Sequence, residues 1–379
     1  MQPKSVYLHI PFCAKMCHYC DFATYTVKEQ PVNEYLDALE KEMEFTLANE
    51  TADEVETIFV GGGTPTILNP KQMERFLAAV WRHFPNRKAN LEFTMEANPG
   101  TVDREKLTVM RAGGVNRLSF GAQSFDNHLL QLIGRDHNAS TVLHSIEDAR
   151  HVGFDNISLD LMFGLPNQTV EILNDTLDVA LDLGVQHFSA YALKVEENTL
   201  FHTLQRKGKL SLPADDDEYE MYQLIRERMA VSGYEQYEIS NFSLPGYESR
   251  HNKTYWLNEP YYGFGVGAHG FTNGIRYANM RGVKPYIGAI GEQRLPRVDQ
   301  YEVSLTEDME NMMILGLRLN EGVSYSRYED RFGVSMMSVY GKQIKDLQEK
   351  GLLKHDDRTV RLTERGLLLG NEVFAEFLT

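Results

Sequence analysis

Every cysteine of the chain lies in one window, at Cys13, Cys17 and Cys20. Thiols gathered this tightly leave none for a disulfide framework, so the fold must rest on its hydrophobic core. They also define a short loop that brings three soft ligands together. The segment ahead of it, Val6–Ile10, is rich in aliphatic residues and predicts a strand. The loop is therefore expected at the C-terminal end of that strand.

This strand is the first of six. Thr57–Val60, Leu91–Met95, Arg117–Phe120, Ile157–Leu161 and His187–Ala192 have the same character, and each is bounded by Gly, Pro, Asn or Asp. Helical patterns fall between them. Val32–Ala48 carries Tyr35, Leu36, Leu39, Met43 and Leu47 at helical spacing. Asn69-Pro70 reads as an N-cap and first-turn proline. Thr141–His151 and Val170–Leu183 follow, the latter stopped near Gly184. Regular βα alternation predicts parallel strands joined by crossover helices. Six units predict an α/β fold, an incomplete (βα)6 TIM-like barrel, in which chemistry sits at the C-terminal strand ends. Cys13, the Gly61–Gly63 triplet, Glu96, Gln123 and Asp160 all fall at such ends, so one mouth is predicted to collect them.

The rhythm stops after about residue 210. Asp215, Asp216, Asp217 and Glu218 open an acidic helix, and residues 240 to 300 are rich in Tyr, Gly, Asn and Pro with little periodicity. From about 305 the pattern is helical. It ends as a helix at Met336–Glu349, a turn at Gly351, short strands around Leu353 and at Val360–Leu362, and a helix from Arg365, an order like that of a winged helix. The predicted division is a partial barrel over 1–210, a mixed α/β extension over 211–304 and a small C-terminal helical domain over 305–379.

The cysteines read CxxxCxxC. Iron–sulfur clusters are held by thiolates. Three of them can grip three irons of a [4Fe–4S] cube and leave the fourth open to an outside molecule. Three core cysteines, or a zinc site completed by His9 or His18, are the alternatives. The glycine triplet lets a backbone approach a ligand closely, and free amides there could bind one; by itself it is also an ordinary tight turn. Glu96, Gln123, Arg135 and Asp160 are equally readable as caps or ion-paired groups. Tyr19, inside the loop, could pack over an adenine. His251, in His-Asn-Lys-Thr-Tyr-Trp, could ligate heme iron, with Tyr255 and Trp256 against a porphyrin face; a histidine bonded to backbone is the plainer reading. His269 is a second, weaker candidate.

The segments YLHIPFCAKMCHYCDF, VGGGTPT, MEANPG, LSFGAQSF, IGRDHN, LDLMFGLPNQT and HNKTYW together resemble the HemN/HemW branch of the radical S-adenosylmethionine (SAM) superfamily over nearly the whole chain. The resemblance implies a radical SAM partial barrel with a [4Fe–4S] cluster on Cys13, Cys17 and Cys20. It implies SAM contacts from Tyr7, Gly62, Gly63, Thr64, Glu96, Arg135 and Asp160, with Gln123 nearby and Tyr19 beside the cluster. The branch holds two kinds of protein. One kind is oxygen-independent coproporphyrinogen III dehydrogenases, which carry a fourth cysteine two positions after the third and a long segment ahead of the motif. The other is heme chaperones, marked by HNxxYW. Here Phe22 takes the fourth cysteine's place, Cys13 stands near the start and HNKTYW is present. The chaperone side is therefore expected, with heme bound through His251, an acceptor hemoprotein as partner and no catalytic residue assigned. Peripheral contact with membrane hemoproteins is compatible with this, and dimerisation is left open.

Composition narrows the partners. With 54 acidic against 38 basic residues, the formal net charge is −16. Nucleic acid and anionic lipid both require a basic surface, so neither is expected. No apolar run approaches the ~18 residues of a membrane span, and no apolar leader opens the chain. A cytoplasmic protein is the expectation.

Overall fold

The computed structural model describes residues 2–50 and 54–378. Its centre is one curved sheet. β1 (Ser5–Ile10) runs into the cysteine loop, which carries a short parallel pair, β2 (Phe12–Cys13) and β3 (Tyr25–Thr26). The strands β4 (Val55–Gly62), β5 (Arg87–Ala97), β6 (Arg117–Gln123), β7 (Ile157–Phe163) and β8 (His187–Ala192) then add in order, each parallel to the last. These are the six predicted strands, longer by one to four residues at most ends. The predicted helices form as Val32–Leu47, Pro70–His83, Ala139–His151 and Val170–Asp182. Asn69 caps the second as expected, its side chain accepting from the Gln72 amide.

Residues 240–300 are regular after all. β9 (Glu235–Glu238) and β10 (Asn241–Ser243) extend the sheet beyond β8, antiparallel to it. β11 (Tyr261–Phe264) lies parallel to β1 on the opposite side, followed by an antiparallel run of β12 (His269–Thr272), β13 (Ile275–Asn279) and β14 (Arg297–Glu302). Strands of three to six residues between glycine and asparagine turns are too short for a period of two to show. The sheet ends β14 and β9 do not pair, so the barrel is open. Further along the chain, β15 (Val323–Ser324), β16 (Leu353–His355) and β17 (Thr359–Leu362) form a small separate sheet against helices. There Met312, Leu317, Tyr328, Tyr340, Ile344 and Phe377 make a second hydrophobic core.

The helix Val32–Leu47 is tied to the β11–β13 region by a buried acid. Glu42 is 2% exposed. It accepts from the Tyr286 hydroxyl (2.5 Å), the Gly265 amide (2.8 Å) and the Asn279 side-chain amide (2.6 Å). Burial raises its pKa to about 7 although all three bonds oppose the rise. The folded chain thus holds this proton until about pH 7, whereas an unfolded glutamate loses it near 4.5. Glu42 therefore favours folding most below pH 4.5. That contribution is lost between about 4.5 and 7, at up to about 1.4 kcal/mol per pH unit. Urea midpoints measured across this window are expected to be flatter in Glu42→Gln than in the wild type; parallel profiles would refute the assignment.

Candidate functional site

In a closed barrel the inward strand positions are filled by Val, Ile and Leu. Here the inner faces carry Tyr7 on β1, Phe59 on β4, Glu96 on β5, Arg117, Ser119 and Gln123 on β6, Asp160 on β7, and Ser189 and Tyr191 on β8. Alternation along each strand sends the apolar neighbours, such as Leu118 and Phe120, outward under the helices. The result is a cavity of about 500 Å³ inside the sheet, open at the C-terminal strand ends. Cys13, Cys17, Cys20, Tyr7, Tyr19, Gly62, Gly63, Thr64, Glu96, Gln123, Arg135, Asp160 and His251 all line it. His269 does not; it sits exposed on β12.

The thiols are free and half-buried. Thr64 donates to the Cys13 sulfur (3.7 Å) and Arg135 to that of Cys17 (3.4 Å). Burial pushes the Cys13 thiol up to about 11, partly offset by the Thr64 hydroxyl. The Cys13 thiol is thus protonated without metal, so metal uptake there must release a proton. Among the described residues no three His, Cys, Asp or Glu side chains gather closely enough to hold a single ion. His9 is committed at both ring nitrogens, to the Ala23 carbonyl (3.0 Å) and the Tyr7 hydroxyl (2.9 Å). His18 has only Nδ1 engaged, by the Leu132 carbonyl (2.8 Å), and neither histidine lines the cavity that the cysteines share. A mononuclear zinc site completed by either is disfavoured. Thiols spread around a loop suit a cube, whose irons are separate corners.

The glycine loop differs from expectation. Its amides are spent: Gly62 on Glu96 Oε2 (3.0 Å), Gly63 on the Ile10 carbonyl (2.9 Å) and Thr64 on the Phe12 carbonyl (2.8 Å). None is free for an anion. The glycines instead serve close approach. A Cβ on Gly62, at φ +105°, would stand 2.2 Å from the His9 ring, and one on Gly63 2.7 Å from the Phe12 carbonyl.

Two of the acids that line the cavity, Glu96 and Asp160, stand on the inner strand faces. Burial first, then the nearby Asp160 charge, raises the pKa of Glu96 to about 8, with the Gly62 amide opposing. Asp160 is also raised by burial, though Ser119 (3.1 Å) and Ser189 hydrogen-bond to it. Arg135 reaches over them, donating to the Gly121 carbonyl (2.7 Å) and to Asn98. Such a rim suits a ligand that carries both an ammonium and a carboxylate.

The floor is the helix Arg250–Trp256. Ser249 caps it, and the Glu92 carboxylate accepts the amides of Arg250 and His251 (both 3.0 Å). His251 is 1% exposed and stacks on Phe59, with ring centroids 5.2 Å apart. The Thr57 hydroxyl donates to Ser5 (2.8 Å), so His251 Nδ1 must donate to Thr57 (2.8 Å). Nε2 is then the bare nitrogen, accepting from the Tyr255 hydroxyl at 2.8 Å. Burial lowers the imidazole to about 3, so it is neutral. Tyr255 shares this face by its i+4 spacing. Trp256 does not, because successive helical residues diverge by about 100°. It packs under Arg318, 4.5 Å from the ring centroid, and so cannot join Tyr255 against one ligand face.

Sequence reading passed over Arg117, Ser119, Ser189, Tyr191 and Asn252. Arg117 and Ser119 share the inner face of β6 with Gln123, so counting by twos from it would have reached them, whereas β8 carried no recognised residue from which to count to Ser189 and Tyr191. Asn252 follows His251 on the helix.

An open parallel (βα)6 barrel with three thiols and a glycine-rich strand end at its mouth is a radical SAM site. A model of the radical SAM superfamily matches residues 7–180, and one of the HemN C-terminal domain matches 303–369. The heme chaperone HemW of Bacillus subtilis is 48% identical over 99% of both chains. That of Lactococcus lactis is 41% identical over 100% of this chain and 98% of its own. The solved structure of HemN, a coproporphyrinogen III oxidase from Escherichia coli, superposes with a TM-score of 0.87 at 25% identity, covering 99% of this chain and 90% of that one. The chain belongs to the HemW family of the radical SAM superfamily. Membership implies SAM and a [4Fe–4S] cluster.

A cationic group placed beside Glu96 would draw its proton off. Titrating the cluster-loaded protein with SAM at pH 7, in buffers of different ionisation enthalpy, is expected to release up to one proton more from the wild type than from Glu96→Gln. Wild-type SAM affinity should rise towards pH 8. Equal release from the two proteins would rule this out.

Proposed function

We propose that this protein is a heme chaperone: it binds heme beside a SAM-bearing [4Fe–4S] cluster and passes it to an acceptor hemoprotein in the cytosol. The observation that carries the reading is full-length identity of 48% to a relative named a heme chaperone. The position of His251 in the cluster cavity supports it. Cys13, Cys17 and Cys20 would hold the cluster, and SAM would bind beside it. Glu96, Arg135 and Asp160 take the polar groups of SAM, with Tyr7, Tyr19, Gly62, Gly63, Thr64 and Gln123 around it. The wider cluster of spent amides and buried acids favours an ammonium at the Glu96 side.

His251 has the form an iron ligand needs, a neutral imidazole with a bare Nε2. That lone pair is capped by the Tyr255 hydroxyl, so ligation requires Tyr255 to turn away. Among the described residues no helix is long and apolar enough to cross a membrane; delivery to a membrane hemoprotein would proceed through peripheral contact.

A second reading, oxidative decarboxylation of coproporphyrinogen III, is favoured by the likeness to HemN. Phe22 speaks against it, standing 66% exposed where HemN-type chains carry a fourth cysteine. The test uses anaerobically reconstituted protein with SAM. Heme titration is expected to give a shifted Soret band that His251→Ala loses. Tyr255→Phe, which uncaps Nε2, should bind heme more tightly by roughly 3- to 10-fold. Conversion of coproporphyrinogen III to protoporphyrinogen IX would reject the chaperone reading in favour of the second.

A further inference from the structure

Arg117 is a charge that the cluster and SAM site leaves unused. It is 2% exposed and lines the cavity. It shares the inner face of β6 with Ser119, Gly121 and Gln123 but lies four residues before Gly121, about 13 Å deeper along the strand. Arg135 bonds to Gly121 itself, so the two guanidiniums serve different levels. Arg117 has no ion-pair partner among the described residues, and its Nε has no hydrogen bond. Glu92, the deep acid, is spent on the amides of Arg250 and His251. Asp160 feels the Arg117 charge without pairing to it.

A guanidinium cannot shed its proton, and leaving one buried and unpaired is costly. An anion arriving through the cavity would supply the missing partner. The surrounding groups say what carries it. Phe59, His251 and Tyr255 present flat rings, and Asn252 adds an amide. The chemistry fits a carboxylate arm on a flat apolar body.

We propose that the deep end of the barrel is a carboxylate subsite, in which Arg117 receives one propionate of the porphyrin. This deepens the heme reading and rests on it for the identity of the ligand.

The test titrates cluster- and SAM-loaded wild type, Arg117→Met and Arg117→Lys with hemin, hemin dimethyl ester, coproporphyrin III and its tetramethyl ester, following the Soret band. Wild type is expected to prefer each free acid over its ester by roughly 10- to 100-fold, the range of one charge-assisted bidentate pair. Arg117→Met should lose that preference, its ester affinity unmoved and its cluster absorbance intact. Arg117→Lys, which keeps the charge but not the fork, should retain part of it. If the methionine variant fails to hold its cluster, the lysine variant decides. A loss of acid affinity with the ester unchanged supports the subsite, and no such loss overturns it. Hemin binding that ignores Arg117 refutes the subsite and leaves the chaperone reading standing. Coproporphyrin binding that depends on Arg117, with no hemin binding, refutes the chaperone reading and keeps the subsite. No binding of either acid refutes both.

Discussion

The structure depends on how the cysteine loop is hung. Its entry is fixed by β1, and the Gly63 and Thr64 amides clip the Ile10 and Phe12 carbonyls to the end of β4. Its middle is held where the His18 amide meets the Ile133 carbonyl (3.0 Å). Its exit is held by His9, whose ring reaches the Ala23 carbonyl, and by the Val27 amide on the Cys13 carbonyl (2.8 Å). The thiols are thus positioned before any cluster arrives, so little ordering entropy remains to be lost when it binds. The same clips explain the glycines, because a side chain at Gly62 or Gly63 would collide with the His9 ring or the Phe12 carbonyl. They also set Tyr7. The Ala23 carbonyl can only accept, so His9 donates there through Nε2 and accepts from Tyr7 through Nδ1, which directs the hydroxyl proton away from the cavity.

Much of this was legible, and what was not has physical causes. The six parallel strands were visible because each is a run of β-branched or aliphatic residues closed by a turn. The mouth was visible because its polar residues end those runs. The interior was harder. On β6 the eye follows Leu118 and Phe120, which face the helices, while Arg117 and Ser119, alternating with them, look like ordinary solvent positions. They would be solvent positions in a half-buried sheet, but a sheet that curves on itself turns its polar face inward. Glu42 misleads in the same way, being an acid on an amphipathic helix that ends up beneath Tyr286. The seven-residue helix holding His251 is too short for periodicity to reveal. Trp256 could be separated from Tyr255 only once that stretch was known to be helical.

The polar interior bears on stability as well as chemistry. Arg117, Arg135 and Thr94 each keep a buried polar atom without a partner, and Glu96 and Asp160 are buried acids whose charged forms are disfavoured. Unsatisfied groups of this kind cost about 1 to 3 kcal/mol each, so the cavity without its ligands is a weak region of an otherwise well-packed sheet. Ligands that satisfy these groups bind only the folded chain, and their binding energy adds to its stability by mass action. The floor helix extends the effect. Glu92 ties its start to the barrel, while Arg318 over Trp256 and Arg327 on the Leu257 carbonyl (2.6 Å) tie its end to the residues around the second core. The helix that carries His251 and Tyr255 is therefore held at both ends, which fixes the depth at which both side chains meet the cavity. One short helix thus joins the lining of the cavity to the C-terminal region, without any need for the two cores to touch.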